Sequence, residues 1–458
     1  MQNNASRQQY AQSLAKRYQA MRAKGESIYL DVGDFDRLIE YYLMENDNDT
    51  AAELIDLALS IHPRNEFILL KRVAWLLQTE RPQEALALVE QLPQNEDTEL
   101  MLASVYLALG RKKEALQLFR RNLEMSKGDQ SLYCSDVADV LMHYEFYADA
   151  LAFIKQGLQH NPKDEELYQQ AIDVSYLMGD LNACVDYFRR LLDEYPYDAQ
   201  SWARLGSLYL NMNQLEEAVN ALEFANAAAS KPELTVCVEL GHAYGRLLQY
   251  DSAIDAYQQA YDLMEEPHAS SLGKGDLAGC LAECYEHKNE LDLALSWYYK
   301  ALEHNPQDDM ACVGIAFCLS QQKDYSQAMS YYEKALALNP ANKEIWLGIA
   351  ELLVSIEQYD AAIVAYKQAL EGVEDPNLEV LFALANLHFQ VGEYQSALEI
   401  FLLIKDKNLP MPNLHLCLAL CYAMLDQEAD AEYYLKLAIS DDAKAKQVYE
   451  EILKEARQ

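Results

Sequence analysis

Three consecutive stretches, residues 275–308, 309–342 and 343–376, are each 34 residues long and carry the same residues at the same places. Ala294, Ala328 and Ala362 stand at the twentieth place, Tyr298, Tyr332 and Tyr366 at the twenty-fourth, and Ala301, Ala335 and Ala369 at the twenty-seventh. A fixed period of this size marks an array of identical supersecondary units stacked along one axis. In such an array each unit touches only its neighbours, so 458 residues do not have to divide into conventional domains around separate cores.

Anchoring on the twentieth-place alanine extends the register in both directions. Units start at residues 32, 66, 96, 131, 165, 199, 234, 275, 309, 343, 378 and 412, and Cys184 is the one exception to alanine at the anchor. A side chain that small, repeated so uniformly, belongs where two helices approach closely. Unit 199–233 shows the internal pattern: Trp202, Leu205, Gly206 and Tyr209 share one face of a first helix at i, i+3, i+4 and i+7. Asn213 and Gln214 mark a turn, and Ala218, Leu222 and Ala225 form the stripe of a second helix. Pro63, Pro162, Pro196, Pro306 and Pro340 end the second helices of their units. Unit 66–95 departs, being only 30 residues long.

The expected organisation is a basic amphipathic helix and cap over 1–31, seven repeats over 32–265, an inserted loop at 266–274, five repeats over 275–440 and a capping helix over 441–458. In the opening helix, Ser6–Lys24, residues Tyr10, Leu14, Tyr18 and Met21 form the apolar stripe. It can cover the open end of the array or dock another chain. The insertion reads as a tolerated loop, with a joint between two blocks of repeats or a lip for a partner as the alternatives. In the last helix, Val448, Ile452 and Leu453 are placed to cover the final repeat.

Composition removes several functional classes. The net charge is −36, from 37 basic against 73 acidic side chains, which repels phosphate backbones and anionic lipid headgroups. Nucleic acid is therefore not an expected partner, nor is membrane insertion. The start Met-Gln-Asn-Asn-Ala-Ser-Arg has no apolar signal segment, and nine scattered cysteines form no disulfide framework, so a reducing cytoplasm is expected.

Trp202-x-x-Leu205-Gly206-x-x-Tyr209 followed by Ala218 resembles the tetratricopeptide repeat (TPR) consensus, and unit 96–130 keeps Gly110, Ala115 and Phe119 of the same pattern. The resemblance covers about residues 32–440; Arg72 stands where the family has Leu. The opening stretch 28–63 is also similar to that of some poorly characterised bacterial cytoplasmic proteins of this type. The resemblance implies an all-α fold, a right-handed α-solenoid of about twelve helix-turn-helix repeats with N- and C-terminal capping helices. It further implies that places two, five, six, nine, twelve and thirteen of each unit line a concave groove that binds a partner. Those places hold Asp136, Asp139, Glu166, Asp173, Glu239, Asp276, Glu283, Glu286, Glu344, Glu351 and Glu379, against the bases Arg37, Lys71, Arg204 and Arg246. Co-chaperone members use Lys and Asn there to clamp a carboxylate. Here place nine offers only Asn386, without a neighbouring Lys, which disfavours such a clamp.

Nothing else in the chain reads as chemistry. Cys280, Cys284 and His287 share a helix face but have no evident fourth ligand for zinc, and Cys284 falls at a core place. Asp47-Asn48-Asp49 starts like a calcium loop and continues without the required glycine, so it reads as an acidic turn that caps a helix. Phosphate-binding and nucleophile motifs are absent, and repeats leave no room for a catalytic domain. The expectation is thus a non-enzymatic interaction scaffold without metal, cofactor or small-molecule substrate, holding a basic or neutral protein or peptide segment in an acidic groove. The alternative is a regulatory subunit or assembly factor of an enzyme or of a secretion or envelope complex.

Overall fold

The computed structural model describes residues 2–24, 30–125, 128–264, 273–373, 376–407, 411–442 and 444–456. Among these residues the chain is all helix, with no strand. It divides into two units, Met1–Leu208 and Tyr209–Gln458.

The first unit begins with α1 (Gln2–Lys24). Five helix pairs follow: α2 (Val32–Met44) with α3 (Asn48–Ile61), α4 (Glu66–Gln78) with α5 (Pro82–Val89), α6 (Glu96–Ala108) with α7 (Lys112–Met125), α8 (Gln130–His143) with α9 (Tyr147–His160), and α10 (Glu165–Leu177) with α11 (Leu181–Glu194). The next helix, α12 (Ala199–Asn211), runs across the division. The second unit contains α13 (Leu215–Ala228) and then α14 (Leu234–Arg246) with α15 (Tyr250–Leu263), α16 (Lys274–His287) with α17 (Leu291–His304), and α18 (Asp309–Gln321) with α19 (Tyr325–Leu338). It ends with α20 (Lys343–Ser355) and α21 (Tyr359–Leu370), α22 (Leu378–Gln390) and α23 (Tyr394–Asp406), α24 (Leu414–Met424) and α25 (Glu428–Asp441), and a last helix, α26 (Ala445–Ala456). The observed starts of the first helices follow the alanine register to within two residues. This is the all-α solenoid of stacked helix pairs that the period implies.

Each pair closes through one device. The fifteenth place is left-handed in every repeat, with φ between 57° and 84° at Asn46, Glu80, Gly110, Glu145, Gly179, Asn213, Leu248, Asn289, Lys323, Glu357, Gly392 and Asp426. The following N–H reaches back to the carbonyl five residues earlier, as from Arg111 to Tyr106 at 2.8 Å and from Asp324 to Leu319 at 2.9 Å. Such a turn satisfies the orphan carbonyls of the first helix and reverses the chain in three residues. Helix starts are capped in turn: Asp31, Asp47, Asn65, Asp164, Asp180, Asp308 and Asp324 each accept a backbone N–H two or three residues on. Asp47 thus caps α3 as expected, although that helix starts at Asn48.

Packing follows from the anchor alanines. All eleven are buried, and so is Cys184. Tyrosines at the twenty-fourth place lie across small residues of the inner helices. A Cβ on Gly314 would stand 2.1 Å from the Tyr298 ring, and one on Gly348 would stand 2.6 Å from Tyr332. Glycine is required at both places because the ring occupies the volume of a side chain.

The short second repeat loses its missing residues from α5. Pro82 sits at its start and the chain leaves the helix after Val89, ahead of Pro93. Arg72, the departure from the repeat pattern, reaches across to Asp56 of α3 at 2.9 Å.

The terminal helices differ in detail from the sequence reading. α1 is longer than Ser6–Lys24, and its buried residues are Leu14, Ala15 and Tyr18, packed with Phe35, Leu38 and Ile39 of α2. Tyr10 instead stays exposed, with its hydroxyl donating to Asp34 at 3.1 Å. At the other end α26 starts at Ala445, not Asp442, and Val448 is exposed. Ile452 and Leu453 make the expected contact with Leu416 and Leu420, joined by Ala445 and by Tyr449 in place of Val448. The inserted loop at 266–274 lies outside the described residues except for its last two, which begin α16.

Candidate interaction surface

First helices of successive repeats approach one another directly, α2 to α4 to α6 and α8 to α10 in the first unit, and α16 to α18 to α20 in the second. The backbones of the second helices do not come as close. Layers spaced unequally in this way curve toward the tighter one, so the first helices form the inner face of each unit. The family resemblance assigns places two, five, six, nine, twelve and thirteen to that face.

The acids expected there separate by environment. Asp136, Asp139, Glu283, Glu286 and Glu351 all have pKa values pushed up, in each case chiefly by burial. Asp136 reaches about 6, with the charges of Asp139, Glu166, Glu96 and Asp97 adding to the effect. Its carboxylate is open to water on one side, yet protein fills the rest of its surroundings and replaces hydration that the charged form needs. These five carboxyl groups stand clearly raised, and all five occupy places that the family resemblance assigns to the inner face. The carboxyls held low, Asp47, Glu84, Glu114 and Asp129, serve helix caps or pair with arginine.

The remaining acids have other occupations or stand apart. Asp173 is paired with Arg204 at 2.5 Å, so it offers less charge to a ligand than its place implies. Asp276 accepts the N–H of Gly273 at 2.7 Å and so caps α16. Glu166, Glu344 and Glu379 are exposed in the first turns of α10, α20 and α22, and Glu239 is half-buried on α14. The bases are engaged too: Lys71 lies 3.3 Å from Asp36 and 3.4 Å from Glu40, Arg37 is 3.6 Å from Asp34, and Arg246 donates to Asn213.

Two clusters result, one in each unit. In the first, Asp136 and Asp139 lie one turn apart on α8, within electrostatic reach of Glu166, and the Gln170 amide donates to Asp139 at 2.7 Å. Gln170 itself is buried, and its Oε1 accepts no hydrogen bond. In the second, Glu283 and Glu286 lie on α16, with Glu344 of α20 adding its charge at Glu283. Tyr298 donates its hydroxyl to Glu286 at 2.8 Å, and Glu286 and Glu351 both bear on Tyr332.

The inner face also has an apolar component that sequence reasoning missed. In the first unit a cavity of about 840 Å³ opens between α4, α6 and α8, lined by Ala74, Leu77, Met101, Ala108 and Tyr144, with Asp139 at its edge. Family places could have pointed to it, since Leu77, Met101 and Ala108 fall at inner positions twelve, six and thirteen.

Cys280, Cys284 and His287 do not form a common site. Burial pushes the Cys280 thiol up to about 12 and Cys284 to about 11, which removes thiolate character. The His287 ring stacks on Tyr250 with centroids 4.9 Å apart. No helix among the described residues is long and apolar enough to cross a membrane.

Comparison with known proteins agrees with this geometry. Four family models, each described as tetratricopeptide repeat, match residues 1–160, 199–228, 238–309 with 352–410, and 319–371. Among curated proteins, the anaphase-promoting complex subunit cut9 of Schizosaccharomyces pombe is 24% identical over 250 residues, covering 49% of this chain and 33% of that protein. The chain spans a third or less of the length of the curated relatives it matches. Among solved structures, a tetratricopeptide repeat protein from Parabacteroides merdae ATCC 43184 has a TM-score of 0.45 at 17% identity, covering 56% of this chain and 98% of its own. YrrB, a TPR protein with an unusual peptide-binding site, has a TM-score of 0.34 at 20% identity, covering 43% of this chain and 96% of its own. Matched in both units and built throughout of the same helix pairs, the chain belongs to the tetratricopeptide repeat family.

Proposed function

We propose that this protein is a non-enzymatic interaction scaffold whose inner first-helix layers hold a basic segment of a partner protein. The observation that carries the reading is the occurrence of raised carboxyl pKa values at inner places. A carboxylate short of hydration and without a cation is unfavourable in the free protein, and an arriving Lys or Arg relieves that penalty. Many weak contacts along a pre-formed track then add up without reorganisation of the fold.

The test is titration of the intact chain with a Lys/Arg-rich peptide at low salt and at several hundred millimolar salt. Affinity is expected to fall steeply as screening shortens. Asp139→Lys with Glu283→Lys is expected to weaken binding far more than Glu216→Lys with Glu217→Lys, two exposed acids in the first turn of the second helix α13. Equal losses from the two pairs would leave only a generally acidic surface and defeat the reading.

A further inference from the structure

We infer that the inner face of the first unit selects a segment in which a large apolar side chain lies next to a basic one, the apolar side chain entering the cavity between α4, α6 and α8 and the basic one meeting Asp136 and Asp139. This rests on the acidic-groove reading and narrows it. The exposed walls of the cavity are mainly apolar, from Ala74, Leu77, Met101, Ala108 and Tyr144, with Gln78, Glu80, Ser104 and His143 also in the lining, and at about 840 Å³ the space exceeds what one aromatic side chain needs. Asp139 lies at its edge, and Asp136 follows one turn away on the same face of α8. An apolar group seated here therefore brings its flanking residues within reach of both carboxylates.

Charge complementarity fixes the chemistry of the occupant. Among the described residues no lysine or arginine is ion-paired with Asp136 or Asp139, whereas Arg204 already satisfies the neighbouring Asp173. The Gln170 amide nitrogen is spent on Asp139 and the Ser135 carbonyl, so it adds no free donor toward an anion. An acidic segment would place like charges against two carboxylates already short of solvation. Beyond the cavity, Tyr176, Leu177 and Met178 stand exposed at the end of α10, the inner neighbour of α8. Exposed apolar residues on the neighbouring helix are what a chain segment, rather than a lone small molecule, would use.

Three short synthetic peptides test the inference on the intact chain by fluorescence anisotropy: one with Lys and Arg flanking a central Phe, one with that Phe replaced by Ser, and one with the bases replaced by Glu. The Phe peptide is expected to bind on the order of tenfold tighter than the Ser peptide, the worth of one buried aromatic side chain after its losses. The Glu peptide is expected not to bind. Ala108→Trp, which fills the cavity, should bring the Phe peptide to the level of the Ser peptide. Leu77→Ser, which strips the lining, gives the same comparison if the larger substitution impairs folding. Asp139→Asn should weaken both basic peptides in parallel and leave their ratio unchanged. Equal affinity for the Phe and Ser peptides overturns the inference while leaving the acidic groove intact. Binding of the Glu peptide as tight as that of the Phe peptide overturns the charge requirement, and failure of both basic peptides overturns the groove reading itself.

Discussion

Gly314→Ala is the most direct probe of how the repeats interlock, and Gly279→Ala is its control. Both glycines lie within first helices of the second unit, α18 and α16, at ordinary helical φ. Replacing glycine by alanine in a helix normally stabilises by about 0.5–1 kcal/mol, because the unfolded chain loses freedom. At Gly279 a Cβ would meet nothing within 4 Å, so that gain should appear in full. At Gly314 the Cβ would stand 2.1 Å from the Tyr298 Cζ, and the ring must retreat by more than an ångström to restore contact distance. The ring is 4% exposed and tethered through its hydroxyl to Glu286 at 2.8 Å. Overpacking of this kind costs about 1–3 kcal/mol, and the strained hydrogen bond adds roughly 1 kcal/mol more. After the helix gain is subtracted, Gly314→Ala should destabilise by about 1–3 kcal/mol. A repeat array does not have to unfold in one step, so the readout should be local: hydrogen exchange of peptides covering α17 to α19, supported by urea midpoints from circular dichroism. Faster exchange there for Gly314→Ala, with slower exchange near α16 for Gly279→Ala, is the expected pair. A shift of the same sign from both substitutions would refute the argument that Tyr298 fills the place of a side chain.

Ala328→Leu should cost about 1–3 kcal/mol by forcing its helices apart, whereas Ala337→Leu, exposed on the same helix α19, should be near neutral in the same urea titration. Leu248→Asn should raise stability by about 0.5–1 kcal/mol, because Leu248 is exposed at φ 60° where asparagine is better tolerated; an unchanged or lower midpoint would count against strain at the turn. Asp136 has a pKa raised to about 6 in the folded chain, above its usual value of 3.8, so its favourable contribution is complete below that usual value and is lost as pH rises through about 6. Thermal stability of the first unit should therefore increase from pH 7 toward pH 5 at this site. Asp136→Asn should be at least as stable as the parent at pH 7, with a flatter pH profile, and a large loss of stability for Asp136→Asn would contradict the assignment.

The register of the repeats was legible because its marker is chemically simple: a residue at a close helix crossing must be small, and alanine at Ala51 through Ala431 states that requirement directly. Helix stops were legible for a similar reason, since α9, α11, α17 and α19 end two residues before Pro162, Pro196, Pro306 and Pro340. The left-handed turn position was not legible. Its occupants include Leu248, Lys323 and Glu357 as well as glycine and asparagine, because the backbone hydrogen bonds of the turn impose the conformation on whatever residue stands there. The terminal stripe failed at Val448 for another reason. Val448 and Tyr449 are adjacent on the helix, and apolar spacing alone does not tell which of the two turns to the core. The inner face was half legible. Acids at inner places could be named, yet their sequence gave no means to separate desolvated Asp136 from ion-paired Asp173. The apolar lining at Leu77, Met101 and Ala108 was legible only through the repeat places they occupy, since an aliphatic residue on a first helix otherwise looks alike whether it faces the core or a cavity.

The placement of the five carboxyls with raised pKa values bears on why the chain is so acidic. If the charge of −36 served solubility alone, acids would be most effective where water surrounds them on all sides. A carboxyl with a pKa of about 6, as at Asp136, is partly protonated near that pH and contributes less charge there than one with an ordinary pKa. Nor does the fold demand acids there, for Gln170 fills place six and Asn386 place nine, each on a first helix of normal length and packing. Neutral amides at those places would keep the hydrogen-bonding capacity without the desolvation penalty. Local rules of this kind are broken in natural proteins mainly where function repays the cost. A penalty of this kind, found at first-helix places, is one that the basic partner proposed above would relieve on binding.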